Sequence, residues 1–209
     1  MKLSSCFAVG FLIGALGCIC SAAPAGAADR TSEASAGRDG QHDFDFNFGV
    51  WKTHIKRILN PLSGSTESME LNGTVTVRKV WGGRAQLEEI EADGPKGHWE
   101  GLTLFLYDPK ARQWSQTFAG SADGAFSDGL IGSFKDGIGE LFARDTYNGR
   151  SIFVRGRWSD ITANSHHFEE DYSDDGGTTW HPAFIANLTW KPDTARAAQP
   201  AVNASPASR

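Results

Sequence analysis

A chain of 209 residues with 25 acidic against 20 basic side chains carries a net charge of −5, which argues against nucleic acid and anionic lipid as partners. All three cysteines, Cys6, Cys18 and Cys20, fall within the first twenty positions. A chain cut near residue 28 therefore holds no thiol, which excludes disulfides, cysteine nucleophiles and thiolate metal sites together and leaves the fold to its own core.

In chain order, Met1-Lys2, an apolar run over 7–20 and the small residues of 21–28 have the build of a secretory signal peptide, with the cut after Ala27 or Ala28. The run is too short to span a bilayer. Export to the periplasm or beyond the cell is expected. The alternative is a lipoprotein signal, because Leu16-Gly17-Cys18 ends the run and lipidation of Cys18 would tether the protein; Ala15 stands where a branched aliphatic is usual. Residues 29–42 and 191–209, rich in Ala with Ser and Gly or Pro, are read as a disordered linker and tail. The single domain is then 43–190, which holds all seven tryptophans.

The domain begins with Phe44-Asp45-Phe46-Asn47-Phe48-Gly49-Val50-Trp51, an aromatic plug leading into a strand. Period-two alternation then predicts strands over 50–59, 74–81, 84–91, 99–107, 113–119, 126–134, 139–146, 151–158, 165–172 and 179–190. Their connectors, Gly82-Gly83, Asp108-Pro109-Lys110, Asp136-Gly137, Asn148-Gly149 and Asp174-Asp175-Gly176-Gly177, supply positive or fixed φ. Short links pair consecutive strands antiparallel, and such a meander removes its edges most simply by closing. The fold class is therefore all-β, an up-and-down antiparallel barrel of about ten strands, with a β-sandwich as the alternative. Ser173, Asp175, Gly177, Thr179 and Trp180 match the S-x-D-x-G-x-T-W box of propeller blades, but one copy cannot furnish four blades. Asp175 and Ser173 are read instead as bonding turn amides, with Trp180 packed beneath.

The Phe44-Asp45-Phe46 start, Gly49-Val50-Trp51, Gly82-Gly83-Arg84, Tyr107-Asp108-Pro109 with Trp114, and the Ser173 to Trp180 box together resemble a family of exported bacterial domains of unassigned function with a lipocalin-like fold. The resemblance covers 43–190 and implies a calycin-like barrel; it implies no catalytic residues. The Gly-x-Trp step is also similar to the first strand of true lipocalins, where the tryptophan closes one barrel end under an arginine of the last strand. Here the last strand, Phe184 to Trp190, has no arginine.

Charged side chains sharing a strand face with apolar ones are the candidates for a lumen. Arg57 shares a face with Trp51, Thr53, Ile55 and Leu59; Glu100 with Leu102, Leu104 and Leu106; Glu140 and Arg144 with Ile138 and Phe142; His166, Glu170 and Tyr172 with Phe168. A lumen holding Arg57 and Arg144 suits a carboxylate ligand. The competing reading is a structural network with Glu100, Glu140 and Glu170, or a register that faces the arginines to solvent. Arg155 and Arg157 are read as outward and solvated. Tryptophans 81, 99, 114 and 158 are read as core before ligand platforms.

His166 and His167, adjacent in a strand, face opposite sides and cannot meet at one ion; no metal site and no cofactor is expected. Proton transfer between His166 and Glu170, or between Glu88 and a facing arginine, needs no more than a lined pocket. No nucleophile elbow, phosphate loop or dinucleotide fingerprint occurs. Three functions remain open: a monomeric small-molecule-binding barrel, a cofactor-free isomerase, dehydratase or cyclase, and an envelope interaction protein with a solid core.

Overall fold

The computed structural model describes residues 39–192; the expected leader, most of the linker and the tail lie outside them. Ten strands, β1 (Gly49–Ile58), β2 (Ser68–Val80), β3 (Ala85–Gly94), β4 (Gly97–Asp108), β5 (Gln113–Gly120), β6 (Leu130–Lys135), β7 (Ile138–Tyr147), β8 (Arg150–Ser159), β9 (Ser165–Ser173) and β10 (His181–Trp190), form one closed antiparallel barrel. Each strand pairs with the next in sequence, and β1 closes on β10 from Trp51↔Trp190 to Arg57↔Phe184. Among the described residues no helix is long and apolar enough to cross a membrane.

The turns follow their chemistry. Asp136-Gly137 and Asn148-Gly149 have positive φ at both central positions, 52° and 81°, then 50° and 77°, the mirror-image turn whose twist matches the flanking strands. In the last hairpin Asp175 accepts from the Thr178 and Thr179 amides at 3.0 Å and from the Ser173 hydroxyl at 2.8 Å, while the Gly177 amide donates to Ser173 Oγ at 2.8 Å. Thr179 foremost, with Ser173 and Thr178, holds the Asp175 carboxyl well below the usual carboxylate range.

Two boundaries move by four residues or more. β2 starts at Ser68 rather than 74, because Asn72-Gly73 lies within the strand: a Cβ at Gly73 would sit 2.0 Å from the Glu91 carbonyl oxygen, so glycine marks a close approach of β3. β6 starts at Leu130 rather than 126, and its ladder with β5 holds only Trp114↔Gly132, Ser115↔Ile131 and Gln116↔Leu130. Beyond it the 121–129 loop covers the β5 edge, with Ser127 donating its amide to the Phe118 carbonyl and accepting from the Phe118 amide.

One end of the barrel is shut by the chain preceding β1. A 3-10 turn, Asp45–Asn47, drives Phe44 to complete burial among Phe46, Phe105, Trp114, Phe134 and Trp158 at ring separations of 4.9 to 5.8 Å. The plug's carbonyls are bound by side chains from the wall: Gln86 Nε2 donates to Phe44 O, Trp51 Nε1 to Asn47 O, and Trp114 Nε1 to Gly40 O, all within 3.0 Å. The Tyr107 hydroxyl donates to Asp39 O. Packing thus begins at Asp39, ahead of position 43.

The glycine of the Gly-x-Trp step has a physical reason. Gly49 takes φ +120°, and a Cβ there would lie 2.3 Å from the Trp190 ring, which itself meets Trp51 edge-on at 5.1 Å. Gly49→Ala is expected to cost about 3 kcal/mol, against about 1 kcal/mol for Gly64→Ala, where φ is +75° but nothing lies within 4 Å. Equal losses in chemical denaturation would discard the Trp190 contact as the cause.

Candidate functional site

The plug fills only the closed end. Toward the other end the lumen opens into a cavity of about 380 Å³, whose mouth is framed by the 59–67 and 121–129 loops and the β3–β4, β7–β8 and β9–β10 turns. Its wall is mainly aliphatic and aromatic. Trp99 stacks on Phe118 at 6.0 Å and meets Phe184 at 6.4 Å; Tyr147 and Tyr172 pair at 5.5 Å. The interior is therefore not a solid core.

Four of the sequence-selected residues point inward. Glu170 and Tyr172 line the cavity from β9, and Arg57 borders its mouth from β1, exposed, with its guanidinium 6.0 Å from the Trp99 ring. Burial pushes the Glu170 carboxyl up; the Tyr172 hydroxyl and the Arg57 charge pull it down, while Asp145 raises it further. Burial, then the Glu170 charge, raises the Tyr172 phenol. His166 also faces inward but belongs to the closed end, 2% exposed, against Trp51 at 4.4 Å, Phe46 at 5.1 Å and Trp158 at 5.6 Å. Four residues of extended strand, roughly 13 Å, separate it from Glu170, so the expected acid–base pair is not assembled.

Glu100, Glu140 and Arg144 are on the outer face, the reverse of the expected orientation. On β4 the inward set is Trp99, Gly101, Thr103, Phe105 and Tyr107, because Phe105 and Tyr107 must meet the plug; Glu100 is exposed beside His98, and Leu104 and Leu106 are left outside. On β7 the inward set begins with Gly139, where a Cβ would meet the Phe134 ring at 2.5 Å, and continues through Leu141, Ala143, Asp145 and Tyr147. Glu140 faces Arg155 and Arg157 at 3.9 Å, and Arg144 borders the mouth with its guanidinium 5.4 Å from the Phe153 ring.

Arg155 points outward as expected but is not freely solvated. Its Nε and Nη2 donate to Asp171 Oδ2 at 3.0 and 2.8 Å, and Trp180 covers it at 4.6 Å, so the box tryptophan seals a buried ion pair on the outer wall. His167, outward, contacts Asn187 Oδ1 at 2.8 Å and Glu169 at 3.4 Å. Among the described residues no group of three or more His, Cys, Asp or Glu is placed to hold a metal ion.

A buried carboxyl lines the cavity at Glu88 on β3. The residue is 5% exposed and accepts from Thr103 Oγ1 at 2.8 Å and from Asn47 Nδ2 at 3.4 Å; burial raises its carboxyl against those two donors. Gln116 beside it accepts from Trp158 Nε1 at 3.2 Å. The pattern of Gln86, Glu88 and Ile90 against Leu87 and Glu89 gives little sequence signal for a buried acid; only the partner Thr103 across the β3–β4 ladder identifies it.

No family model and no curated protein matches the sequence. Among solved structures, the barrel is similar to an S-type phycobiliprotein lyase from Guillardia theta, with a TM-score of 0.52 and 11% identity over 78% of this chain and 98% of that one. A redesigned β-barrel bound to DFHBI aligns with a TM-score of 0.40 and 8% identity over 69% and 99% of the two chains, and a de novo designed fluorescence-activating β-barrel with 0.39 and 11% over 70% and 95%. At 11% identity the match to the lyase speaks to the fold alone.

Proposed function

We propose that this is an exported protein that binds a small apolar or amphipathic molecule inside the barrel. The observation that carries the reading is a cavity of about 380 Å³, open at one end, with an apolar wall and a few convergent polar groups, the usual build of a small-molecule site. Export rests on the leader expected over residues 1–28. A barrel of similar fold serves as a phycobiliprotein lyase, which supports the reading without assigning a ligand here.

Native mass spectrometry of protein taken from its own envelope extract is expected to give a discrete extra mass that vanishes on denaturation. A neutral fluorescent probe, N-phenyl-1-naphthylamine, is expected to bind the purified domain and to lose at least tenfold in affinity in Ala143→Phe, where the added ring projects from a cavity-lining position. Melting should stay within a few degrees, since the ring enters empty space. A barrel that binds neither native cargo nor probe would sink the proposal.

A second reading, cofactor-free proton transfer, is favoured by one feature: the half-buried Glu170 carboxyl beside Tyr172 and Asp145 in an open pocket. It requires that Glu170→Gln abolish a turnover while leaving the melting temperature nearly unchanged.

A further inference from the structure

We infer that the molecule held in the cavity is an organic cation: a protonated amine or quaternary ammonium on an apolar or aromatic body. The inference rests on the binding reading above and deepens it.

The charge lining the cavity is lopsided. Glu88, Asp128, Asp145 and Glu170 supply four carboxyl groups against the guanidiniums of Arg57 and Arg144. Arg144 turns to the outer Phe153 ring, and Arg57 stands exposed at the mouth against Trp99. Among the described residues no lysine or histidine lines the wall. A carboxylate ligand entering past Arg57 would meet the Asp145 and Glu170 carboxyls beside it and the Glu88 carboxyl at the floor, and its charge would oppose the ionisation of each. An ammonium meets the opposite.

Buried acids are costly features for a purely apolar cargo. Burial drives both Glu88 and Glu170 toward their neutral forms, and a cation supplies each with the charge partner that replaces lost water. The aromatic walls add to this, because an ammonium over the face of Trp, Tyr or Phe is held by the ring quadrupole, and Trp99, Phe118, Tyr147, Tyr172 and Phe184 crowd the mouth.

Three probes of one shape separate the outcomes: 1-naphthylmethylamine, 1-naphthylmethanol and 1-naphthoate, titrated calorimetrically into the purified domain at pH 7. The amine is expected to bind about tenfold more tightly than the alcohol and the naphthoate most weakly; Glu170→Gln and Glu88→Gln should each reduce the amine's advantage while leaving alcohol binding intact. Alcohol binding with an amine no tighter, or a naphthoate as tight as the amine, overturns the cation assignment and leaves the cavity reading standing. Binding of none of the three by a protein with a cooperative melt overturns both. Alcohol binding in the variants guards against a substitution that merely unfolds the barrel.

Discussion

Phe44→Ala is expected to remove about 4 kcal/mol of unfolding free energy, the largest single loss available to a side chain outside the strands. Phe44 is fully buried and touches five aromatic rings, two of them at 4.9 Å, so truncation forfeits both its transfer energy and the edge contacts. The void cannot collapse easily, because the Phe44 and Asn47 carbonyls are pinned to Gln86 and Trp51. For a domain of this size the melting midpoint should fall by on the order of 10 °C. Phe126→Ala, the same chemical change at a position 52% exposed, should cost under about 0.5 kcal/mol. If the two variants melted together, the plug would be a passenger rather than the closure of the barrel.

The second large effect is a dependence on pH. Burial holds the His166 imidazole down at about 4, from 6.5 when exposed, and neither ring nitrogen has a hydrogen-bond partner among the described residues. The unfolded chain therefore binds a proton that the folded one refuses between those values, so stability from this site is complete above about pH 6.5 and is lost as pH falls toward 4. The loss amounts to about 2 kcal/mol at pH 5 and about 3 kcal/mol below pH 4. Glu88, Glu170 and Asp171 act with the opposite sign: burial raises each carboxyl in the fold, so their contribution is greatest below the unfolded carboxylate range and declines as pH rises through their folded values. The wild-type profile is a sum of the two, and a variant isolates the histidine. His166→Phe, with a ring of similar size among Trp51, Phe46 and Trp158, should gain on the wild type by about 2 kcal/mol between pH 7.5 and pH 5 in urea unfolding. Parallel profiles would mean that the imidazole is wetter than its surroundings indicate.

All ten strands were readable from the sequence because their alternation and turn residues agree locally. Which face looks inward was not, since a period of two divides every strand into two sets without naming the inner one. On β9 the aromatic set of His166, Phe168 and Tyr172 opposes the charged set of His167, Glu169 and Asp171, and hydrophobicity points the right way. On β4 it points the wrong way, because three leucines stand outside while glycine, threonine and aromatics stand within. The deciding partner is the plug, a segment 61 residues upstream in the case of Phe105 and Phe44, and no local window contains that contact. Glu88 was named as a candidate acid, but its seat against Thr103 and Asn47 of the plug was unreadable for the same reason.

The described chain both starts and finishes at the closed end. Asp39 and Gly40 are held by Tyr107 and Trp114, and the Lys191 amide donates to the Val50 carbonyl at 2.9 Å. A tether attached on either side therefore grips the barrel by its floor. An N-terminal lipid or a C-terminal fusion would present the mouth away from the point of attachment, and immobilisation through either terminus leaves the opening clear.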